Sequence, residues 1–262
     1  MNRFEGQILY GRHAVLEGIE TNREIEKVFI LQTSQPSENL AHIRRLAESR
    51  GIPVVFVPKE KLEKLCKSRE HQGAAALLSF HEYASFQEIL LEAKTGKKGV
   101  LALDHLEDPQ NLGSLLRTCE ATRVVSGIVI PKRRSAGLSP GTAKASAGAI
   151  HHVKTARVPN LHQALLQFRK EEFFIVGADQ NAPTSFRDLH YPAPLVLVLG
   201  NEHKGISFLV KNCCDALVKI PMRGRLDSLN VSVAGALILY EIFFQWGKEK
   251  EMEGKIPSHK KS

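Results

Sequence analysis

Five side chains with chemically useful groups lie in or shortly after loops that follow apolar segments of the chain. The set contains two amides, a guanidinium, a carboxylate and a hydroxyl, so it can donate and accept hydrogen bonds and take up a proton. Its members are Asn111, Arg117, Glu202, Ser228 and Asn230. Whether they form one site depends on the elements that position them.

Two of the segments that contain these residues, the one with Asn111 and Arg117 and the one with Glu202, have simple structural explanations. Asn111 lies where a helix is expected to open and could be its N-cap, and Arg117 could be a solvated charge on the same helix. Glu202 follows the pair Gly200-Asn201 directly after an apolar strand, which is typical of a tight turn. Taken singly, neither segment predicts a function.

The third segment, RLDSLNVSVAGALILYE, places polar side chains directly before a long apolar run. Asp227 or Ser228 can cap the helix predicted over 231–246, because a side-chain oxygen accepts hydrogen bonds from the first backbone N–H groups. Asn230 is then expected inside the first turn, where its short amide competes with the backbone and is mildly unfavourable. Its presence there requires another reason.

All three segments follow strands of a predicted parallel sheet. Near-continuous runs of Val, Ile and Leu are typical of parallel strands covered on both faces. Runs of this kind occur at 100–104, 127–130, 173–179, 195–200 and 216–221. Ligands bind beyond the carboxyl ends of the strands in doubly wound sheets, so the loops after these strands are the expected location of a site.

The first eighty residues predict a smaller α/β unit. Helical patterns alternate there with short strands at 27–31, 53–57 and 74–80. We therefore divide the chain into a small α/β domain over 1–82, a linker over 83–98, a larger α/β domain over 99–247, and a charged, disordered tail over 248–262. Within the linker, SFQEILLEAK has a helical pattern and leads to a turn at TGKKG (95–99).

Composition favours a polyanionic partner and argues against a membrane or a metal. Lys and Arg number 36 against 28 Asp and Glu, a net charge of +8, which favours nucleic acid. The four cysteines show no C-x-x-C spacing and the 11 histidines form no metal-ligand pattern with them, so we expect free thiols in the reducing cytoplasm. The most apolar stretch, 231–246, is too short and too polar to span a bilayer.

The three polar segments together resemble the successive motifs of a known enzyme family. DPQNLGSLLRTCEA, LVLGNEHKGIS and IPMRGRLDSLNVSVAGALILYE are similar to the motifs of the SpoU (TrmH) family of S-adenosylmethionine-dependent RNA ribose 2′-O-methyltransferases. The resemblance covers the catalytic domain from Val100 to Trp246, including the segment 133–161. LYGRHAVLEGI and REHQGAAALL resemble the ribosomal-protein-L30e-like RNA-binding domain of the ribosomal-RNA branch.

This resemblance implies a fold and a cofactor site that periodicity alone does not. The family's parallel sheet contains a deep trefoil knot, which general rules of chain connection would have excluded. No G-x-G-x-x-G follows the first strand of the larger domain, so an ordinary Rossmann site is unsupported. The family implies instead that backbone loops bind S-adenosylmethionine, which corresponds here to Gly200, Ile220 and Leu229.

The resemblance also implies catalytic roles for Asn111, Arg117, Glu202, Ser228 and Asn230. Methylation of a ribose hydroxyl requires an aligned 2′-oxygen, removal of its proton and stabilisation of the alkoxide. A permanently charged guanidinium is a poor base, so Arg117 would bind the adjacent phosphate and stabilise the alkoxide. The proton acceptor stays open, with Glu202 as one possibility.

The basic residues of PKRRS (131–135), together with Arg223 and Arg225, would contact RNA phosphates beside this site. The expected substrate is a guanosine of 23S ribosomal RNA. Two alternatives stay open, a transfer-RNA methyltransferase and a non-catalytic RNA-binding protein that retains the fold. The family further implies a homodimer, in which Arg117 of one chain completes the site of the other.

Overall fold

Two β-sheets organise the chain, a four-stranded sheet near its N-terminus and a seven-stranded sheet after it. The computed structural model describes residues 8–21, 23–33, 37–79, 81–202, 204–225 and 228–254. The elements of the first unit are β1 (Ile8–Tyr10), α1 (Arg12–Glu20), β2 (Ile25–Leu31), α2 (Glu38–Ser49), β3 (Val54–Val57), α3 (Lys59–Cys66) and β4 (Ala74–Leu78).

The first sheet has the strand order β1-β4-β2-β3, with β2 and β3 parallel and the other pairs antiparallel. Its three longer strands lie where the sequence predicts them. The short strand β1 was not predicted, because three residues are too few to show an alternating pattern. Alternate residues of β2 point to opposite faces, and Val28 and Ile30 are buried against α1 and α2.

The second unit contains the remaining elements. They are α4 (Phe86–Gly96), β5 (Gly99–Leu103), α5 (Pro109–Thr122), β6 (Val125–Pro131), α6 (Pro140–Ser146), β7 (Lys154–Val158), α7 (Leu161–Lys170), β8 (Phe174–Ala178), β9 (Thr184–Ser185), β10 (Leu195–Leu199), α8 (Phe208–Lys211), β11 (Ala216–Lys219) and α9 (Val231–Gly254).

All the strands of the second sheet are parallel, in the order β7-β6-β5-β10-β8-β11-β9. The α/β class with a parallel sheet is therefore confirmed, whereas the trefoil knot stays a prediction. The chain leaves β5 toward β6 on one side, and β10 adjoins β5 on the other. Loops that diverge from neighbouring strands open a crevice, and ligands bind in such a crevice. The segments that contain Asn111 and Glu202 follow these two strands.

Helices cover both faces of the second sheet, as the apolar strands require. One face packs against α5 and α9, and the other against α4, α7 and α8. Within the described ranges no helix is both long and apolar enough to cross a membrane, α9 included.

Two predicted segments differ from the structure. The helix expected within 83–98 is present as α4, but its Ile89, Leu90 and Ala93 are buried against the sheet, so this segment packs as part of the second unit. The helix breaks only at Lys97, where the backbone is left-handed. The predicted tail 248–262 begins inside a helix, since α9 continues past Trp246 to Gly254. The rest of that tail lies outside the described residues.

The two units meet at a buried carboxylate. Glu26 on β2 is only 8% exposed. It accepts a hydrogen bond from the backbone N–H of Leu138 (3.1 Å) and another from the Tyr83 hydroxyl, and the Arg157 guanidinium lies 3.5 Å away. Burial raises the pKa of the Tyr83 hydroxyl well above its ordinary value. A buried charge without partners is costly, so these contacts fix the first unit against the loop after β6.

A close approach of α5 and α6 supports the start of α5. A Cβ at Gly113 would overlap the Cβ of Ala145 and lie 2.9 Å from its carbonyl carbon. Any side chain larger than hydrogen must therefore push the two helices apart. Position 113, two residues after Asn111, therefore requires glycine so that α5 and α6 can pack closely.

We expect Gly113→Ala to lower the free energy of unfolding by about 1–3 kcal/mol, because the added methyl meets backbone that cannot move freely. Gly247→Ala is the matched control, since a Cβ there meets nothing within 4 Å. It should be neutral or stabilise the helix by up to about 1 kcal/mol. Urea unfolding of both variants measures the difference, and equal stabilities would contradict the packing requirement.

Candidate active site

A chain of hydrogen bonds joins three of the five predicted side chains. The Asn230 Nδ2 donates to Asn111 Oδ1 at 3.0 Å, and Asn111 Nδ2 donates to Glu202 Oε1. These residues come from the start of α9, the start of α5 and the turn after β10. The structure therefore brings together one residue from each of the three sequence segments.

Asn111 is free for this role because another residue caps α5. Asp108 is the N-cap and accepts a hydrogen bond from the Gln110 N–H at 2.9 Å, and Pro109 occupies the first helical position. The expectation that Asn111 could be the N-cap is therefore wrong. Asn111 is only 5% exposed, and a buried amide requires partners, which Glu202 and Asn230 provide.

Asn230 is the N-cap of α9 and not a residue of its first turn. Its Oδ1 accepts hydrogen bonds from the Ser232 N–H at 2.9 Å and the Ser232 hydroxyl at 2.6 Å. Of the two caps expected from the sequence, Ser228 lies two residues before the capping position, and Asp227 lies outside the described residues. The side-chain oxygen of Asn230 therefore caps the helix, and its NH₂ group donates to Asn111.

A cavity of about 210 Å³ opens beside this chain of hydrogen bonds. Gly200, Ile220 and Leu229, the residues predicted to hold a cofactor, all line it, as do Glu202 and Ser228. It lies at the carboxyl ends of β8, β10 and β11. The predicted cofactor positions and two of the predicted catalytic positions therefore share one cavity.

The cavity suits a ligand that has both an apolar part and polar groups. Leu199, Val218 and Ile238 form an apolar floor and are buried. The rim consists of three loops, whose backbone N–H and C=O groups can recognise polar atoms. Within the described ranges, no group of three or more His, Cys, Asp or Glu side chains could hold a metal ion.

The turn that carries Glu202 is folded tightly on itself. Asn201 and Gly205 exchange two backbone hydrogen bonds, at 3.0 and 2.8 Å, and a Cβ at Gly200 would overlap the Gly205 backbone. The Asn201 side chain also donates to the carbonyl of His105 at 3.0 Å. This turn is thus tied to the loop after β5, which fixes Glu202 relative to Asn111.

Asp179 lines the same cavity, and sequence reasoning did not single it out. Burial alone would raise the pKa of its carboxyl. A hydrogen bond from the Lys211 ammonium, 2.7 Å away, and another from the Asn181 N–H outweigh that effect, so the pKa lies below its ordinary value. The available signal was its position directly after β8, at the same edge of the sheet as the other loops.

Two predicted catalytic residues do not join the hydrogen-bonded chain. Ser228 is exposed and lines the cavity. Arg117 is exposed on α5, and it follows Asn111 by six residues, which places the two side chains about 120° apart around the helix. Among the described residues, Arg117 makes no hydrogen bond or ion pair. One chain therefore does not bring Arg117 to its own Asn111.

The basic segment PKRRS divides between two uses. Lys132 and Arg133 reach the carbonyls of Arg50 and Glu48, both at 3.5 Å, at the C-terminal end of α2, where cations are favoured. Only Arg134 turns toward the loop after β5. Two of the three cations of this segment therefore contact the first unit, and the contact of the segment with RNA phosphates stays a prediction.

Two family models match this chain. Residues 98–240 match the SpoU rRNA Methylase family, and residues 8–84 match the RNA 2'-O ribose methyltransferase substrate-binding family. The chain belongs to the SpoU family. The resemblance seen in the three sequence segments is confirmed, and the chain is an S-adenosylmethionine-dependent RNA methyltransferase of this family.

Whole-chain relatives agree with this assignment. A TrmH family tRNA/rRNA methyltransferase of Staphylococcus aureus (strain MSSA476) is 44% identical over 241 residues, which cover 91% of this chain and 96% of the relative. The TrmH family tRNA/rRNA methyltransferase YacO of Bacillus subtilis (strain 168) is 40% identical over 235 residues, or 89% and 93% of the two chains.

A solved structure with a similar fold is the SpoU methyltransferase AviRb from Streptomyces viridochromogenes in complex with AdoMet. It superposes with a TM-score of 0.58 over 92% of this chain and 91% of its own, at 21% identity. The A. aeolicus TrmH/SpoU tRNA modifying enzyme has a TM-score of 0.53 and 29% identity over 64% of this chain and 87% of its own. The first comparison supports the fold of both units together, and the second supports that of a part of the chain.

We expect the two functions of Asn230 to separate by mutation. Asn230→Ala should lose the cap, at a cost of about 1 kcal/mol in the free energy of unfolding, and also the donor to Asn111. Asn230→Asp should keep the cap but not the donor. Both variants should therefore lose methyl transfer by roughly 10²-fold, since misplaced groups lose effective molarity, while only the first is destabilised. An Asp variant with full activity would show that the chain of hydrogen bonds is dispensable.

Proposed function

We propose that this protein methylates the 2′-hydroxyl of a ribose in RNA, and that its substrate is a guanosine of 23S ribosomal RNA. The observation that carries the proposal is the chain of hydrogen bonds from Asn230 through Asn111 to Glu202, at the rim of a cavity suited to a nucleoside-bearing cofactor. The substrate-binding match over residues 8–84 and the net charge of +8 support an RNA substrate.

The side chains of this site have distinct roles in the proposal. Glu202 holds Asn111 through one carboxylate oxygen, and its other oxygen accepts no hydrogen bond among the described residues. That oxygen is available to the ribose hydroxyl and makes Glu202 the proposed proton acceptor. Asn111 and Asn230 orient the carboxylate, and Ser228 contacts the substrate at the exposed rim of the cavity.

S-adenosylmethionine supplies the methyl group from the cavity. Its adenosine would lie on the apolar floor of Leu199, Val218 and Ile238, with its polar atoms at the backbone of Gly200, Ile220 and Leu229. The proposal places methyl donor and ribose on opposite sides of one rim, as an in-line displacement requires. The free cysteines support a reducing, cytoplasmic location.

A second copy of the chain completes the proposed site. Successive turns of α9 expose Val233, Leu237, Tyr240 and Phe244, which are 41–58% accessible, while Ile238, Leu239 and Ile242 of the same helix are buried in the core. A helix that is apolar on all sides is expected to be buried, so this stripe favours a homodimer through α9. Arg117 lies exposed on the neighbouring helix α5 and would reach the partner's site.

A transfer-RNA substrate is the alternative that the relatives favour most, because the names of the Staphylococcus and Bacillus proteins mention both tRNA and rRNA. A non-catalytic RNA-binding protein is disfavoured by the assembled chain of side chains, since RNA affinity alone does not require a buried amide between a carboxylate and a helix cap.

Mapping of 2′-O-methyl groups tests the activity and separates the substrates. Purified protein with S-adenosylmethionine should add one 2′-O-methyl group to a 23S transcript and none to a tRNA pool. Glu202→Gln keeps the acceptor for Asn111 but not the charge, and should lower kcat by roughly 10²-fold or more. Methylation of tRNA alone would replace the proposed substrate. Methylation of neither RNA, with S-adenosylmethionine bound, would contradict the activity.

Mixing two inactive variants tests the shared site. Arg117→Ala and Asn230→Ala should each be inactive as pure dimers. If each site is built from both chains, a hybrid dimer carries both substitutions in one of its two sites and neither in the other. Random pairing of equal amounts should therefore restore about a quarter of wild-type activity. If hybrids form but no activity returns, each site is built from a single chain.

A further inference from the structure

A histidine and an arginine outside the chain of hydrogen bonds meet at the edge of the sheet where the substrate is proposed to bind. His105 follows β5, and Arg134 lies in the loop after β6. Their side chains approach each other, with Arg134 Nη2 3.4 Å from His105 Nε2. The His105 backbone carbonyl accepts a hydrogen bond from Asn201, beside Glu202. His105 thus contacts the basic loop through its side chain and the turn that carries Glu202 through its backbone.

A buried carboxylate fixes the imidazole. Asp104 is 1% exposed, and its Oδ2 accepts the backbone N–H of Ser207 at 2.7 Å. Its Oδ1 lies 2.6 Å from His105 Nδ1. The carboxylate can only accept, so in the neutral ring Nδ1 carries the hydrogen and Nε2 carries the lone pair. The His105 side chain remains 32% exposed, so Nε2 is directed outward.

Both residues occupy backbone conformations that their side chains disfavour. His105 has φ +61° and Arg134 has φ +51°, in the left-handed region. Strained residues of this kind cluster at functional sites. Here the strain turns two polar side chains toward each other across neighbouring loops.

Arg134 lacks the partner that a guanidinium normally has. Among the described residues it makes no ion pair with a carboxylate, and its one side-chain contact is with a ring nitrogen of His105. Among the described residues, the charged groups in contact with the His105 side chain are Asp104 from the end of β5 and Arg134 from the loop after β6. The turn after β10 contributes the Asn201 side chain, which donates to the His105 backbone carbonyl. An anion would complete this arrangement.

We propose that His105 and Arg134 form a binding site for one phosphodiester of the RNA backbone, beside the target ribose, and that the imidazole takes up a proton when the phosphate binds. The proton comes from solvent and goes to Nε2, which then donates to a phosphate oxygen while Nδ1–H stays on Asp104. Arg134 donates to the same phosphate. This inference rests on the proposed function, because it assumes RNA in the crevice.

Substrate affinity and turnover test the proposal on the full-length protein, with an unmodified 23S transcript as the probe. His105→Asn tolerates the left-handed backbone but cannot take up the proton, and Arg134→Gln removes the charge. Each variant should raise KM about tenfold, the loss of one charge-assisted hydrogen bond, with kcat and S-adenosylmethionine affinity within about twofold. The double variant should lose no more than about the larger single effect, because both residues hold one phosphate.

Filter binding without S-adenosylmethionine supplies an independent readout. Arg134→Gln should lower the slope of log affinity against log salt by roughly one, and Arg134→Lys should keep it. Wild-type affinity should rise as the pH is lowered, and by more than that of His105→Asn, because only the imidazole can take up the proton. Arg123→Gln is the matched control, since Arg123 is an exposed arginine at the opposite end of α5 and pairs with Glu120.

The outcomes are distinguishable. A fall in kcat at unchanged KM would assign His105 to the reaction and overturn the phosphate site, as would equal losses in Arg123→Gln. Unchanged KM and salt slope in both variants would also overturn it. If the wild-type protein binds the transcript with these salt and pH effects but transfers no methyl group, the proposed function fails while the phosphate site stands.

Discussion

The hydrogen bond between the amide side chains of Asn230 and Asn111 sets the geometry on which the rest of the site depends. The side-chain oxygen of Asn230 accepts hydrogen bonds from the first N–H groups of α9, so its NH₂ group is available to donate to Asn111. Asn111 must then present its oxygen to Asn230 and its NH₂ group to Glu202. The direction of every hydrogen bond is fixed by the helix end, since a helix N-terminus can only donate. A helix cap therefore determines how a carboxylate in another loop is held.

The position of the site follows from the sheet. β5 and β10 are neighbours from which the chain diverges, so a crevice opens at their carboxyl ends. Burying both faces requires apolar strands, which leaves the loops as the place for polar groups. The tight turn at Gly200 and the close packing at Gly113 hold the two loops that meet there. The glycines required for close packing therefore lie next to the residues of the site, in the same segments of the chain.

Much of the sheet could be predicted from the sequence, because long runs of Val, Ile and Leu have few alternatives. The strand β7 was missed, since KTARV carries a lysine and an arginine that form ion pairs with α4 and β2. The capping roles of Asp108 and Asn230 were misplaced by a few residues, which local propensity does not resolve. The pairing of Arg134 with His105, and the use of Lys132 and Arg133 at the end of α2, depend on contacts between distant segments. No local pattern encodes such contacts.

The carboxylate of Glu26 restricts how the two units can be recombined. It enters the loop after β6 where Gly137 leaves room, and Leu138, Tyr83 and Arg157 surround it. A chimera whose N-terminal unit carries an uncharged side chain at this position would leave Arg157 without its counter-charge. Replacement of the N-terminal unit therefore requires either a carboxylate at this position or transfer of the loop at 136–139 and the β7 arginine together with that unit.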